Sequence, residues 1–319
     1  MPLPPVSQRL ALTAVLAVGL VGIPVRGAVA QALLEDCTAQ WSAFEAAAKA
    51  NDVEAAAAAE KRLATVPGCS RQRGSAREAM LGLYRKEADR LRQENAPPAQ
   101  QLAVLEAALG YGNAWNVWDI YAGIGDLRRR LPSVGDAPDH AAVSLAYDAA
   151  VRAIDLAPPA ARPPAAEIER LTRLAYQYEA LSPKPVQRRG LLSRSVRQID
   201  VERTPVPLQF IYDKDQLTEA GQAQAENLLR LLKQEGMPPI HLVGHTDPVG
   251  SDAYNDRLSM LRAAAVKTFL IAGGYPADRI TVEGRGKRDI DKLKIVDRSA
   301  FTVEQIHQML RRVELGWRP

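Results

Sequence analysis

The sequence predicts two domains, an all-α helical domain followed by a small α/β sandwich. From residue 31 to about residue 200 the chain is rich in Ala, Leu, Arg and Glu, with apolar residues at helical spacing and no strand-like alternation. After Thr204-Pro205, strand-like runs alternate with helix-like runs. Such an order predicts one sheet with helices on one face. We therefore place a helical domain at residues 31–202 and the sandwich at 203–319.

Residues 1–30 have the pattern of a secretory signal peptide. Arg9 precedes fourteen uncharged and mostly apolar residues, and Ala28 and Ala30 supply the small residues of a cleavage site. A membrane-spanning helix would need about 20 apolar residues, more than this run offers. We expect cleavage after Ala30 and an exported chain.

The charge of the exported chain is nearly balanced. Removing Arg9 and Arg26 from the 41 basic residues leaves 39, against 37 acidic residues. A net charge of about +2 does not indicate a nucleic-acid partner.

The first two predicted helices, residues 37–50 and 53–64, form a hairpin broken at Asn51-Asp52. Cys37 and Cys69 lie at similar distances from this turn, so antiparallel packing brings them together at the open end. Disulfides persist in exported proteins. We therefore predict a Cys37–Cys69 disulfide rather than two free thiols.

The rest of the helical domain contains five further predicted helices. Part of it, with Tyr121, Tyr147, Ala150 and Pro158, resembles tetratricopeptide-type helical hairpins, as does the first pair. A generic Ala-rich helical bundle explains the same residues. No catalytic spacing is present. The five helices are predicted at 73–94, 98–109, 114–130, 139–156 and 164–181.

The C-terminal domain is predicted to contain four strands and two long helices, with a further helical turn near 302–309. Thr218 is a suitable N-cap for the first long helix, and Ser251 or Asp252 for the second. Gly236 and Gly273-Gly274 end these helices. The strands are predicted at 206–212, 238–245, 278–286 and 310–317.

The loop after the second strand and the helix that follows carry a cluster of charged and polar residues. Asn255 and Arg262 are seven residues apart, so both lie on the helix edge that faces the loop carrying Asp247. A carboxylate only accepts hydrogen bonds, whereas a guanidinium only donates them. The pair therefore suits a zwitterion, with Asp247 taking the ammonium and Arg262 the carboxylate. A plain Asp247–Arg262 salt bridge explains the residues equally well.

The nearby histidines do not indicate a metal site or a catalytic centre. His241 and His245 lie on a predicted strand, where their spacing separates them by about 13 Å. No other Cys or His stands at metal-ligand spacing, and no nucleophile accompanies a base. We expect no metal, no cofactor and no catalytic residue, and we interpret His245 as a side chain that orients the loop.

Residues 203–319 resemble the OmpA-like C-terminal domain. The resemblance rests on "VPLQFIYDKDQLT", on "GHTDPVGSDAYNDRLSMLRA" within 240–287, and on "RRVEL". It implies non-covalent binding of peptidoglycan through the diaminopimelate of the stem peptide. Leu310 departs from the family pattern, which often has asparagine there. The binding residues that the resemblance implies are Asp247, Arg262, Asn255, Asp213, Leu258 and Thr246.

The sequence thus predicts a non-catalytic periplasmic protein that is associated with the cell wall and peripheral to the outer membrane. Its helical domain is expected to contact another envelope protein. The alternatives are a peptidoglycan-remodelling enzyme or its accessory protein, and a stator-like or outer-membrane-associated member of the OmpA family.

Overall fold

The computed structural model describes residues 25–66, 68–133, 137–189 and 204–317. The predicted signal sequence therefore falls mostly outside the described residues, and so does the boundary between residues 202 and 203. Residue 30, after which cleavage is predicted, lies within the first helix. Up to residue 189, the described part of the chain contains seven α-helices: α1 (Val25–Lys49), α2 (Val53–Thr65), α3 (Ser70–Gln93), α4 (Pro98–Ala108), α5 (Trp118–Arg128), α6 (His140–Leu156) and α7 (Ala165–Leu181).

The first hairpin has the predicted turn and the predicted disulfide. Asp52 caps α2 by accepting a hydrogen bond from the Ala55 amide at 2.9 Å. Cys37 on α1 is bonded to Cys69, which directly precedes α3, and their Cα atoms are 5.6 Å apart. Both cysteines are buried in a cluster that includes Phe44. The bridge fixes α1 against the connection between α2 and α3.

Each helix from α1 to α6 packs on the next helix of the chain. On α6, Tyr147 and Ala150 are fully buried. Tyr147 lies so close to α5 that a Cβ atom on Gly125 would come within 2.7 Å of its ring. An all-α domain is thus confirmed. Packing of successive helices fits both tetratricopeptide hairpins and other stacked hairpins, so that resemblance stays a prediction.

The C-terminal domain is built on a four-stranded sheet with the order β1-β4-β2-β3. Strands β2 and β3 are parallel, and β4 lies antiparallel to both β1 and β2. Thr218 and Ser251 cap the two long helices, as predicted. The elements are β1 (Thr204–Val206), α8 (Glu219–Gln234), β2 (Ile240–Gly244), α9 (Asp252–Ala272), β3 (Ile280–Gly284), α10 (Val303–Leu310) and β4 (Val313–Trp317).

The first strand is shorter than predicted. The expectation of a strand over 206–212 was wrong, because β1 covers only Thr204–Val206. Pro207 has no N–H to donate to the neighbouring strand, and the Leu208 amide instead turns back to the Val206 carbonyl at 2.8 Å. The following residues leave the sheet, and Phe210 keeps only an isolated bridge to Leu217.

The two domains share a buried interface between α7 and α10. Leu310 is 1% exposed and packs in a cluster with Tyr176 and Leu181 of α7. The Tyr176 hydroxyl donates to the Met309 carbonyl at 2.5 Å. An apolar partner in α7 therefore accounts for the leucine at position 310.

Side-chain amides of the C-terminal domain also donate hydrogen bonds to backbone carbonyls at the end of α7. The last carbonyls of a helix lack partners within the helix. Gln209 Nε2 donates to the Ser182 carbonyl at 2.7 Å, and Gln308 Nε2 donates to the Ala180 carbonyl at 2.7 Å. Apolar packing and helix capping thus both hold α7 against the sheet domain.

Among the described residues, no helix combines the length and the apolarity needed to cross a membrane.

Candidate ligand-binding site

Close packing of α9 on the sheet brings the site together. Gly244 and Gly284 are register partners at the ends of β2 and β3. A Cβ atom on Gly244 would lie 2.0 Å from the Ser259 carbonyl oxygen, and one on Gly284 would lie 2.6 Å from the Met260 nitrogen. Only glycine therefore lets α9 approach this edge, where the loop after β2 begins.

One cavity of about 90 Å³ lies between this loop, the start of α9 and the segment after Phe210. All six predicted binding residues line it. The rest of its wall consists of residues to which the sequence analysis gave no binding role: Tyr212, Val249, Gly250, Tyr254 and Arg311. The six predicted residues in the wall are Asp213, Thr246, Asp247, Asn255, Leu258 and Arg262.

Asp247 is buried, and each of its carboxylate oxygens accepts a hydrogen bond. Its Oδ1 accepts a hydrogen bond from the Val249 amide at 3.0 Å, which fixes the carboxylate to its own loop. Its Oδ2 accepts from Arg311 Nη1 at 2.8 Å. Arg311 also donates to Glu304 at 2.7 Å. The cation paired with Asp247 is therefore Arg311, not Arg262.

Arg262 is 1% exposed but only partly satisfied. Its Nε donates to the Lys214 carbonyl at 3.1 Å, and its guanidinium lies 5.2 Å from the centre of the Phe210 ring. Among the described residues its Nη1 has no hydrogen-bond partner and the side chain forms no ion pair. Burial and then the charge of Arg311 lower the pKa of Arg262 to about 10, so it remains cationic at neutral pH.

The other predicted residues shape the cavity around these charges. Asn255 Nδ2 donates to the Val249 carbonyl at 2.9 Å, which ties the loop to α9. Asp213 has a positive φ of 60° and accepts from the Tyr254 hydroxyl at 2.6 Å. Leu258 adds an apolar wall. The buried Thr246 hydroxyl has no hydrogen-bond partner in the part of the chain that the structure describes.

His245 lies beneath the loop, in a buried cluster with strand β4. Its Nε2 is 3.2 Å from Glu314 Oε2, and Arg312 donates to Glu314 Oε1 at 2.7 Å. Burial lowers the pKa of His245. Burial alone would raise the pKa of Glu314, but the adjacent His245 ring and the charge of Arg312 together lower it to about 2. This position agrees with the interpretation of His245 as a residue that supports the loop.

Within the described residues, no group of three His, Cys, Asp or Glu side chains is arranged to hold a metal ion.

The family model of the OmpA family matches residues 209–300, which include β2, β3, α9 and most of the cavity. This segment is an OmpA-family domain. Outer membrane protein A of Bordetella avium is 37% identical over 78 residues, which are 24% of this chain and 40% of that protein. Outer membrane porin F of Pseudomonas aeruginosa is 36% identical over 89 residues, 28% of this chain and 25% of that protein. The chain thus spans less than half the length of these curated relatives.

Among solved structures, the peptidoglycan-associated lipoprotein from Burkholderia pseudomallei is 25% identical. The match covers 35% of this chain and 88% of that one, with a TM-score of 0.29.

The main residue that sequence reasoning missed lies beyond the matched segment. Arg311 stands in the "RRVEL" run that marked the OmpA-family resemblance, but nothing in the local pattern linked it to Asp247. Strand β4 pairs with β2 so that Val313 lies opposite Gly244. Arg311 precedes Val313 by two residues, so this register places it beside the loop that leaves β2.

Proposed function

We propose that the OmpA-family domain binds peptidoglycan by holding the zwitterionic centre of a diaminopimelate residue, and that the protein is a non-catalytic cell-wall-binding protein of the periplasm. The observation that carries the proposal is the buried Arg262 guanidinium, whose Nη1 lacks a partner within the described residues. An unsatisfied charged donor is costly in a protein interior. A ligand carboxylate in the cavity removes that cost through a bidentate, charge-assisted contact.

Asp247 is suited to hold the ammonium group of the same ligand. Its Oδ1 is anchored by the Val249 amide, so the carboxylate stays in place when its other oxygen changes partner. Arg311 keeps its hydrogen bond to Glu304 when it gives up Asp247. The exchange therefore leaves neither charge without a partner.

The remaining residues of the cavity complete the proposed recognition. Thr246 offers a hydroxyl that is unused among the described residues. Leu258 contacts the apolar carbons of the ligand side chain. Asn255 and Asp213 hold the loop and Tyr254 in the positions that the ligand requires.

The test is co-sedimentation of the purified protein with sacculi that contain diaminopimelate. Hydrogen bonds to charged groups are worth about 1.5–3 kcal/mol, so Asp247→Asn and Arg262→Ala should each weaken binding roughly tenfold or more. Arg257→Ala, an exposed change on the same helix, should bind like the wild type. Wild-type affinity in both site variants, with native circular dichroism, would contradict the proposed site.

A peptidoglycan-remodelling enzyme is the competing function. Incubation of sacculi with the protein, followed by analysis of the soluble products, separates the two. We expect no released muropeptides. Release by the wild-type protein would overturn the non-catalytic assignment.

We further propose that the helical domain presents a surface to another envelope protein. A groove of about 480 Å³ between α3, α4 and α5 carries both acidic and basic side chains, including Asp89, Asp119, Arg92 and Arg130. Photo-crosslinking from position 130 in cells should capture an envelope protein that crosslinking from the exposed position 156 does not. Equal products at both positions would contradict this surface.

A further inference from the structure

A second cavity adjoins the charged one, at the junction between the two domains. It has a volume of about 160 Å³, and Tyr212 and Arg311 line both cavities. Phe210 lines the second cavity and lies against the Arg262 guanidinium, which lines the first. The two cavities are therefore neighbours, with Tyr212 and Arg311 in the wall of both. We call the second one the junction groove; its residues include Ala180, Leu208, Gln209, Phe210, Tyr212 and Gln308.

Part of the junction groove comes from the helical domain. Tyr176 and Ala180 project from α7, whereas Gln308 projects from α10. The Ala180 carbonyl accepts the Gln308 amide, so the two domains are joined directly at the groove wall. Residue 180 lies outside the segment that the OmpA family model matches. The groove is therefore a product of how this chain packs its two domains.

The chemistry of the groove differs from that of the charged cavity. Leu208, Phe210 and Ala180 give it apolar lining. Its single charged side chain is Arg311, which already pairs with Asp247 and Glu304. Gln308 uses its Nε2 toward Ala180, and within the described residues its Oε1 accepts no hydrogen bond. Such a surface suits an uncharged group that carries apolar carbons and an N–H donor.

The rim of the two cavities exposes more apolar surface than a small zwitterion would cover. Tyr212 is 64% exposed, Val249 54% and Tyr254 42%. Exposed apolar side chains that cluster around a cleft mark a surface that a larger ligand covers.

We propose that the junction groove is a second subsite, which holds an uncharged, amide-bearing group of the same peptidoglycan fragment whose diaminopimelate occupies the charged cavity. This inference rests on the proposed function. It makes helix α7 of the helical domain part of the cell-wall-binding site. Both a peptide amide of the stem and the acetamido group of its sugar have the required chemistry.

The test compares three ligands by isothermal titration calorimetry of the full chain. They are free meso-diaminopimelate, the tripeptide L-Ala-γ-D-Glu-diaminopimelate, and that tripeptide attached to N-acetylmuramic acid. We expect the wild type to bind at least one of the larger ligands about tenfold more tightly than free diaminopimelate, a gain of about 1.4 kcal/mol. A gain with the bare tripeptide assigns the groove to a peptide amide, and a gain only with the sugar assigns it to the acetamido group.

Two variants test the groove itself. Gln308→Phe fills it and should remove the gain while leaving the affinity for free diaminopimelate unchanged, which also shows that the charged cavity is intact. Gln308→Leu keeps the size but removes the whole amide, both its acceptor oxygen and its hydrogen bond to Ala180, and should reduce the gain about threefold without filling the groove. Val303→Phe adds the same ring on α10 at an exposed position outside both cavities, and should bind all ligands like the wild type.

The possible failures are distinguishable. If the wild type binds all three ligands equally, or if both Gln308 variants keep the full gain, the second subsite is overturned while the proposed function stands. If the wild type binds none of the three, the proposed function is overturned and the subsite with it.

Discussion

Arg311 Nη1 lies 2.8 Å from Asp247 Oδ2, so the ionic partner of the loop aspartate comes from the residue directly after α10. The other side of the cavity holds Arg262, a buried cation without an ion pair among the described residues. The two arginines therefore have different tasks. Arg311 neutralises Asp247, whereas Arg262 is the cation that we propose for a ligand carboxylate.

Removing Arg311 should destabilise the protein. Arg311→Ala leaves the buried Asp247 carboxylate with only the Val249 amide, and we expect the free energy of unfolding to fall by about 2 kcal/mol. Urea unfolding measures this change. In a double-mutant cycle with Asp247→Asn, the two losses should not add, because both changes break the same ion pair. Fully additive losses would contradict the pairing.

Replacing Arg262 with an apolar side chain should have the opposite effect. We expect Arg262→Met to unfold at the same or a higher urea concentration than the wild type, because it removes a buried cation with an unsatisfied donor. The gain is expected to be up to about 2 kcal/mol, and binding to sacculi should be lost. A strongly destabilised but binding-competent variant would show that Arg262 is a structural residue.

Glu314 should make stability depend on pH. Its pKa in the folded protein, about 2, lies below the ordinary 4.5, so the ionised carboxylate stabilises the folded state. This contribution, about 3 kcal/mol, is fully present above about pH 4.5 and is lost as the pH falls toward 2. Glu314→Gln should therefore be destabilised at pH 7, and its difference from the wild type should shrink at pH 3. Glu226→Gln, an exposed change on α8, serves as the control. A difference that is the same at both pH values would exclude the buried His245–Glu314–Arg312 cluster as its source.

Leu310→Asn should weaken the contact between the domains. It places an amide among Tyr176, Leu181 and other apolar side chains, and we expect the free energy of unfolding to fall by about 3 kcal/mol. Leu156→Asn, at a position that is 63% exposed, should change little. Equal stability of the two variants would argue against a buried interface at α10.

The disulfide should protect the first hairpin. Thiol labelling of the unfolded, unreduced protein is expected to find no reactive cysteine. The Cys37→Ser/Cys69→Ser double variant should lose about 3–4 kcal/mol of stability, because the bridge closes a loop between residues 32 positions apart. Two labelled thiols per chain would contradict the pairing.

Local patterns in the sequence determined the helices, the caps of the two long helices of the C-terminal domain, the Cys37–Cys69 pair and the association of Asp247 with Arg262 at one cavity. Each of these depends on spacing within one or two neighbouring elements, where helical and strand periodicity fixes which side chains share a face. The length of β1 was predicted wrongly because Pro207 interrupts an otherwise strand-like run.

Only the tertiary structure decided which cation pairs with Asp247 and what surrounds the site. Arg311 lies 64 residues from Asp247 along the chain, and they meet because β4 enters the sheet between β1 and β2 in one particular register. The junction groove likewise exists because α7 docks on α10. Strand register and domain docking are set by the packing of apolar surfaces that are distant in sequence. The residue spacing within one segment therefore does not predict them.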